Sequence, residues 1–498
     1  LLFVAGFTVV FVLSVMFVAA AGRELVENRE LLTRIGGVVV ILMALVFLGL
    51  GGRAGRGVRQ DGHREAVAVA AGREAPQEGR PEKSQWRECL MTTTLARRHA
   101  VLFACAALGL TTPAFAQDKN VKIGVLNDMS GLYADIGGPN SVAAANMAVE
   151  DSGLRAKGWK IEVVSGDHQN KPDVGVNIAR NWIDNEKVDI ITDTPNSGVA
   201  LAVSNLAKEK NSIVLNSGAA TADLTGKACN ANTISYTFDT YMLAHGTGQA
   251  LTKAGGDTWF FLTADYAFGH ALERDTTAVV TANGGKSLGG VKHPLNTADF
   301  SSFLLQAQAS KAKVIGLANA GGDTTNAIKQ ASEFGITTGG QKLAALLLFV
   351  NDVHALGLKI AQGLTFTESF YWDANDQTRA WSKRFQKVSP KGSMPSMTVA
   401  GVYAGVLHYL KALDAMGVNP HDGAKVVAKM KEIPTDDPLF GKGPLRIDGR
   451  RIIPAYLFEV KKPEESKYPW DYYKLIATIS PEDAAKPLEA SDCPLVKK

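Results

Sequence analysis

Small and polar residues directly follow several apolar runs of this sequence, and these residue types are suited to holding a small solute. They occur in TDTPNSG (192–198), NSGAAT (216–221), TADYAFG (263–269) and NAGGD (319–323). Hydroxyl groups and free backbone amides at such places can hold a carboxylate without making or breaking a bond. The pattern therefore indicates a binding site.

Motifs for bond-making chemistry are missing from the sequence. It has no G-x-G-x-x-G after an apolar run, no P-loop and no G-x-S-x-G elbow at the end of a predicted strand. Neither C-x-x-C nor H-E-x-x-H spacing occurs, which disfavours a metal site. The histidines from His245 to His421 are scattered without an identifiable partner. We expect no enzymatic activity, no catalytic residue, no cofactor and no metal.

Net charge and cysteine content indicate which partners and which cellular compartment the protein could have. The net charge is +4 and the charged residues are spread along the chain, so no nucleic-acid surface is expected. Of the four cysteines, Cys229 and Cys493 are the two that remain after the processing described below. In an oxidising compartment they would form one disulfide that ties the C-terminal tail to the first half of the chain. Two free buried cysteines are the alternative.

Residues 91–116 have the three regions of a secretory signal peptide. Met91 is followed by Arg97 and Arg98, an apolar run over 100–110 and the small-residue site that ends at Ala116. The run is too short to span a bilayer, and a buried helix is the less favoured alternative. Cleavage after Ala116 would place the protein in the periplasm.

The residues before Met91 have a different character. Apolar runs over 1–21 and 35–50 predict two transmembrane helices, and 51–90 reads as a disordered linker or translated intergenic sequence. The text FVAGFTVVFVL…RELLTRIGGVVVILMALVFLGL resembles the last two helices of the cytochrome c biogenesis family of thiol-disulfide interchange membrane proteins. We expect 1–90 to be a foreign upstream fragment; if it is retained, the protein is membrane-associated. Native peptides N-terminal to Met91 would refute the fragment hypothesis.

From residue 117, short β-branched runs alternate with helical patterns. Strands are predicted at 121–128, 159–167, 188–194, 212–218, 258–265, 286–294, 313–320 and 342–350, with helices between them. Continuous apolar strands of this kind form parallel sheets that are covered on both faces. Eight or more strand–helix units are too many for a single hydrophobic core, so we predict an α/β protein with two open lobes. In such sheets ligands bind outside the carboxyl ends of the strands.

Four stretches occur in the order VKIGVLNDMSGLYADIGGPNSVAAANMAVED, TPNSGVALAVSNLAKEKNSIVLNSGAAT, FFLTADYAFGHAL and DFSSFLLQAQASKAKVIGLANAGGDTTNAIKQA. This series closely resembles ABC-transporter substrate-binding proteins of the branched-chain amino acid type, which are type I periplasmic binding proteins. The resemblance covers residues 119–480. It implies two Rossmann-like lobes with parallel central sheets, joined by a three-segment hinge. Lobe one would be 117–238 and 370–445, lobe two 239–369 and 446–480, and 481–498 the C-terminal tail.

The same resemblance implies a set of ligand-binding residues. In the first lobe these are Tyr133, Asn196, Ser197, Ala219 and Thr221. Ser197 precedes a helix, where its hydroxyl could take a ligand carboxylate or merely cap the helix. Tyr133 could lie over the ligand or only pack, and the loop that holds Ala219 and Thr221 could be an ordinary one.

The second lobe and the hinge contribute the rest of the set. Its members are Asp265, Tyr266, Phe268, Asn319, Asp352, Tyr371 and Trp372. Phe268 matches the family's aromatic wall, and Asp352 falls near the acid that pairs with a ligand amine. If Asp352 points elsewhere, the ligand need not carry an amine. Tyr371 and Trp372 could line the cleft or belong to the core.

We therefore expect a monomeric periplasmic protein that captures an amino acid or an aromatic carboxylate and delivers it to an ABC permease in the inner membrane. The aromatic candidates point toward aromatic acids. A ligand-sensing module of the same fold and an α/β hydrolase are the alternatives. Ligand-induced thermal stabilisation without turnover would separate transport from catalysis.

Overall fold

The computed structural model describes residues 118–497. The two predicted transmembrane helices, the linker over 51–90, the signal peptide and the cleavage site at Ala116 lie outside this range. Within it, no helix combines the length and the apolar character that crossing a bilayer requires.

The first sheet has five parallel strands in the order β2-β1-β3-β4-β5. Residues of β3, β4 and β5 are buried throughout, which agrees with a sheet covered on both faces. The strands are β1 Asn120–Asn127, β2 Lys160–Asp167, β3 Ile190–Asp193, β4 Ile213–Asn216 and β5 Thr233–Ser235.

The second sheet has seven strands in the order β14-β13-β10-β9-β8-β6-β7. Five are parallel, and β13 and β14 add an antiparallel edge that the sequence patterns did not predict. A short hairpin, β11-β12, stands apart. The strands are β6 Thr258–Ala264, β7 Lys286–His293, β8 Val314–Ala318, β9 Lys342–Ala345, β10 Thr365–Glu368, β11 Thr435–Asp437, β12 Gly441–Gly443, β13 Ala455–Val460 and β14 Tyr473–Ile479.

Thirteen α-helices lie within the described residues. The longest, α12, begins at the cap Ser396, whose hydroxyl accepts a hydrogen bond from the Val399 amide, and ends at Gly417 in the left-handed conformation. The helices are α1 Gly138–Asp151, α2 Pro172–Asn181, α3 Ser197–Lys210, α4 Thr240–Leu243, α5 Gln249–Lys253, α6 Ala267–Ala282, α7 Ser301–Ala309, α8 Gly322–Glu333, α9 Val350–Leu356, α10 Leu358–Ala361, α11 Asp376–Val388, α12 Met397–Met416 and α13 Gly423–Glu432.

The chain passes between the two sheets three times. It leaves the first sheet after β5, returns after β10 to place α11, α12 and α13 against the first sheet, and leaves again after β12 to form β13. An α/β fold with two mainly parallel sheets is therefore confirmed.

Two of these crossing segments are hydrogen-bonded to each other. The Ser235 amide donates to the Gly449 carbonyl, and the Arg451 amide donates to the Ser235 carbonyl, both at 2.9 Å. Gly449 has φ +82°, and a Cβ there would lie 2.4 Å from the Thr233 carbonyl oxygen. Only glycine fits this close approach. The buried Arg451 guanidinium pairs with Asp437 at 2.7 Å.

The C-terminal tail returns to the first sheet's side of the molecule. Cys493 is joined by a disulfide to Cys229, with the Cα atoms 5.5 Å apart and the two residues 264 positions apart in sequence. Cys229 precedes β5 of the first sheet, whereas the tail leaves β14 of the second. The bond therefore links chain segments that belong to different sheets.

Candidate functional site

Loops at the carboxyl ends of strands from both sheets enclose a small cavity. Its volume is about 20 Å³, enough for one water molecule. The first sheet supplies Tyr133, Ile136, Pro195, Gly218 and Ala220, and the second supplies Tyr266, Phe268, Ala320, Leu347 and Phe349. This is the edge at which open α/β sheets bind ligands.

Asn196, rather than Ser197, caps the N-terminus of α3. The Asn196 side chain accepts hydrogen bonds from the Gly198 and Val199 amides at 2.9 and 3.1 Å, so Asn196 is the N-cap of α3. Ser197 is completely buried, and its hydroxyl oxygen accepts the Thr221 amide at 3.3 Å. Its proton remains available to an acceptor. Asn196 therefore takes the capping role, while Ser197 does not itself line the cavity and its ligand role stays a prediction.

The loop 216–221 is held rigidly. The Asn216 side chain accepts from the Ala219 amide at 2.9 Å and donates to the Ala219 carbonyl at 2.8 Å. A Cβ at Gly218 would lie 2.6 Å from Asp193 Oδ1 and 2.8 Å from Pro195 Cα, so any larger residue would collide. Thr221 accepts from the Asp223 amide at 3.3 Å. The Ala219 amide is thus occupied, and neither Ala219 nor Thr221 lines the cavity, although their neighbours Gly218 and Ala220 do.

Tyr133 and Tyr266 meet across the cleft. Their hydroxyl oxygens lie 2.6 Å apart. Asp128 positions Tyr133, because its carboxylate accepts the Gly131 and Tyr133 amides at 2.7 and 2.8 Å. Burial raises the pKa of both tyrosine hydroxyls, so both remain neutral at physiological pH. The pair is a polar, uncharged contact between the two sets of loops.

Aromatic and aliphatic side chains form most of the remaining cavity wall. Phe268 is buried with its ring centroid 6.0 Å from that of Tyr266. Leu347 and Phe349 were not foreseen as site residues, because the apolar run 342–350 was predicted to be one strand. β9 instead ends at Ala345 and α9 begins at Val350. The length of the run could have indicated this, because β9 uses only four of its nine residues and the others continue into the loop that carries Leu347 and Phe349.

Asn319 and Asp352 are engaged by neighbouring residues that follow strands of the second sheet, and neither lines the cavity. The Asn319 amide nitrogen lies 3.0 Å from His293 Nε2, and its oxygen accepts the Thr324 hydroxyl at 2.7 Å. Asp352 accepts the Phe349 amide at 3.0 Å and caps α9. Burial raises the pKa of Asp352 to about 7.

Asp265, Tyr371 and Trp372 lie away from the cavity. Asp265 is about half exposed and its carboxylate lies 2.8 Å from His270 Nε2. The Tyr371 hydroxyl and the Trp372 indole both donate to the Trp470 carbonyl at 3.0 Å. Tyr371 also stacks on Tyr473 with ring centroids 4.5 Å apart. These contacts place Tyr371 and Trp372 in a packed aromatic cluster.

Residues 120–466 match the family model described as periplasmic binding protein. That match spans more than half of the chain. This chain belongs to the periplasmic binding protein family. Membership implies a periplasmic location, a small-molecule ligand and association with an ABC transporter.

Solved structures and a curated relative are similar to this periplasmic binding protein. A periplasmic binding protein from Burkholderia mallei is 52% identical, with a TM-score of 0.73, and the match covers 76% of this chain and 100% of that chain. A branched chain amino acid ABC transporter periplasmic ligand-binding protein from Burkholderia xenovorans is 42% identical, with a TM-score of 0.67 and the same coverage. The Leu/Ile/Val-binding protein homolog 6 of Brucella melitensis is 26% identical over 385 residues, which are 76% of this chain and 96% of that protein.

The periplasmic binding protein also carries a larger cleft of about 1080 Å³ at the amino ends of the first sheet's strands. It is lined by residues such as Lys122, Trp159, Asp189 and Tyr409. Ligands of open α/β sheets bind at the opposite, carboxyl ends. The smaller cavity, where both sheets contribute, is therefore the better candidate site despite its size.

Proposed function

We propose that this protein is the substrate-binding component of an ABC importer that captures a small carboxylate-bearing solute, an amino acid or an aromatic acid, and delivers it as a monomer to a membrane permease. The observation that carries the proposal is the cavity shared by the two sheets, closed by the contact between Tyr133 and Tyr266. A solute in such a place touches both halves of the protein. Binding can therefore be converted into a change of shape that a permease recognises.

The two halves act as lobes that open and close about the crossing segments. We assign 117–238 and 370–445 to lobe one and 239–369 and 446–480 to lobe two. A solute that contacts both lobes stabilises the closed form by the difference between its contacts in the two forms. Because the cavity holds only about one water molecule in this conformation, the lobes must separate before a larger solute enters.

Ser197 and Thr221 supply the carboxylate anchor. Both are buried in lobe one next to the cavity residues Pro195 and Ala220, without lining the cavity in this conformation, so the solute reaches them when the lobes separate. Each hydroxyl oxygen accepts one backbone amide, which leaves the hydroxyl proton for the solute. The N-terminal end of the 14-residue helix α3 adds a favourable dipole. Hydrogen bonds to a charged group are worth about 1.5–3 kcal/mol each.

Titration calorimetry on residues 117–498 tests the anchor. Ser197→Ala and Thr221→Ala are each expected to weaken binding of a carboxylate solute by about ten- to a hundredfold. Asn205→Ala, at an exposed position of the same helix, is the matched control and should leave affinity unchanged. Unchanged affinity in both anchor variants would remove this pocket assignment, and product formation from the solute would indicate an enzyme.

A further inference from the structure

The acidic side chains near the cleft already accept hydrogen bonds from other protein groups. Asp128 accepts the amides of Gly131 and Tyr133 and the side chain of Asn170. Asp193 accepts from Asn127, Ser141 and Ser217. None of the residues that line the cavity, within the described range, is acidic or basic.

The acids of lobe two are committed in the same way. Asp323 accepts the Asn296 and Thr297 amides at 3.3 and 2.9 Å. Asp352 accepts the Phe349 amide, and Glu368 accepts the Tyr473 hydroxyl at 2.7 Å. All five acids, Asp128 and Asp193 included, are at most 5% exposed.

Opening the cleft would not release these acids. Every hydrogen bond named above joins residues of one and the same lobe. Rigid-body motion of the lobes leaves contacts inside each lobe intact. The acids therefore keep their partners in the open form as well as in the closed form.

A solute with an ammonium group would find no countercharge in this site. A buried ammonium ion costs several kcal/mol unless an acid pairs with it. The cavity instead offers the rings of Tyr133, Tyr266, Phe268 and Phe349 and two neutral tyrosine hydroxyls. Aromatic rings pack favourably on such walls, and neutral hydroxyls satisfy polar but uncharged groups.

We propose that the solute is an aromatic carboxylate that carries no ammonium group. This inference rests on the proposed function, because it takes Ser197 and Thr221 as the carboxylate anchor. It distinguishes this site from one that holds a zwitterionic amino acid.

Two matched pairs of compounds test the inference by titration calorimetry at pH 7. 3-Phenylpropanoate differs from phenylalanine, and 4-methylpentanoate from leucine, only by the α-ammonium group. In each pair the compound without the ammonium group should bind at least tenfold more tightly, and 3-phenylpropanoate should bind best of the four. Equal or tighter binding of phenylalanine or leucine overturns the inference but leaves the proposed function standing. If neither these compounds nor a wider carboxylate panel binds, the proposed function fails with it.

The variant Asp352→Asn tests whether Asp352 only caps α9 or also pairs with a ligand ammonium group. An asparagine oxygen can still accept the Phe349 amide, so affinity for 3-phenylpropanoate should change by less than about twofold. A selective loss of phenylalanine binding in this variant would identify Asp352 as an ammonium partner and overturn the inference. The melting temperature of the variant reports whether the cap itself has been kept.

Discussion

The hydroxyl oxygens of Tyr133 and Tyr266 lie 2.6 Å apart, although the two residues follow strands of different sheets. Nearby, the Gly322 amide points to the Leu132 carbonyl at 3.5 Å. On another side of the molecule, Arg274 of α6 pairs with Asp223 at 3.3 Å. The loops of the two sheets thus touch at several points, and the tyrosine pair is the contact that borders the cavity.

Removing one hydroxyl of the pair should weaken solute binding. Tyr266→Phe keeps the ring and loses the hydrogen bond, whose net worth is about 0.5–1.5 kcal/mol, so Kd should rise about two- to tenfold. Titration calorimetry measures the change. Tyr456→Phe on β13, remote from the cavity, is the control and should bind like the parent. Unaltered affinity in Tyr266→Phe would argue against a role for the pair.

A side chain at Gly218 should disrupt the site. In Gly218→Ala the new methyl group would approach Asp193 Oδ1 at 2.6 Å and Pro195 Cα at 2.8 Å. Because the second contact is with backbone, the loop 216–221 must shift, and overpacking of this kind costs about 1–3 kcal/mol. Denaturant unfolding and calorimetry should show lower stability and weaker binding. Gly248→Ala, where the nearest atom is a Thr276 methyl group at 3.2 Å, should be milder.

Loss of the disulfide should lower stability. Replacing Cys229 and Cys493 together by serine removes a cross-link across 264 positions, and disulfides are typically worth about 2–4 kcal/mol. Thermal unfolding of the double variant should occur at lower temperature than that of the oxidised parent. Parent protein treated with a reductant should behave like the variant. A melting temperature that neither change affects would contradict the prediction.

Asp193 should make stability depend on pH. Burial raises the pKa of Asp193 from 3.8 to about 7 in the folded protein. The folded state therefore binds more protons than the unfolded state between these values, so this contribution to stability is present below about pH 4 and is lost as pH rises through 7. Urea unfolding of Asp193→Asn should show a flatter decline over that window. Asp173→Asn, at an exposed position of α2, should keep the parent's slope.

Much of the fold could be predicted from local patterns. The apolar runs at 121–128, 258–265 and 286–294 correspond within one residue at each end to β1, β6 and β7. Alternation with helical patterns was sufficient to indicate parallel sheets. The antiparallel strands β13 and β14 were missed, because their pairing with β10 depends on a long connection that no local pattern encodes.

The site was harder to predict than the fold. Strand ends pointed to Tyr133, Tyr266 and Phe268, which do line the cavity. Side-chain direction, however, is decided by partners far away in sequence. Trp470 holds both Tyr371 and Trp372 from about 100 positions away, and Phe349 could be recognised as a wall residue only once the end of β9 was known. Backbone partners likewise determine that Asp352 serves as a cap.

The bond between Cys229 and Cys493 has a consequence for biogenesis. Cys493 follows Cys229 by 264 positions in the chain. Cys229 is translated far earlier, so its thiol lacks this partner until the positions up to Cys493 have been made. Formation of the bond therefore requires that the chain has been made at least as far as Cys493, and products truncated before it would keep a free Cys229 thiol.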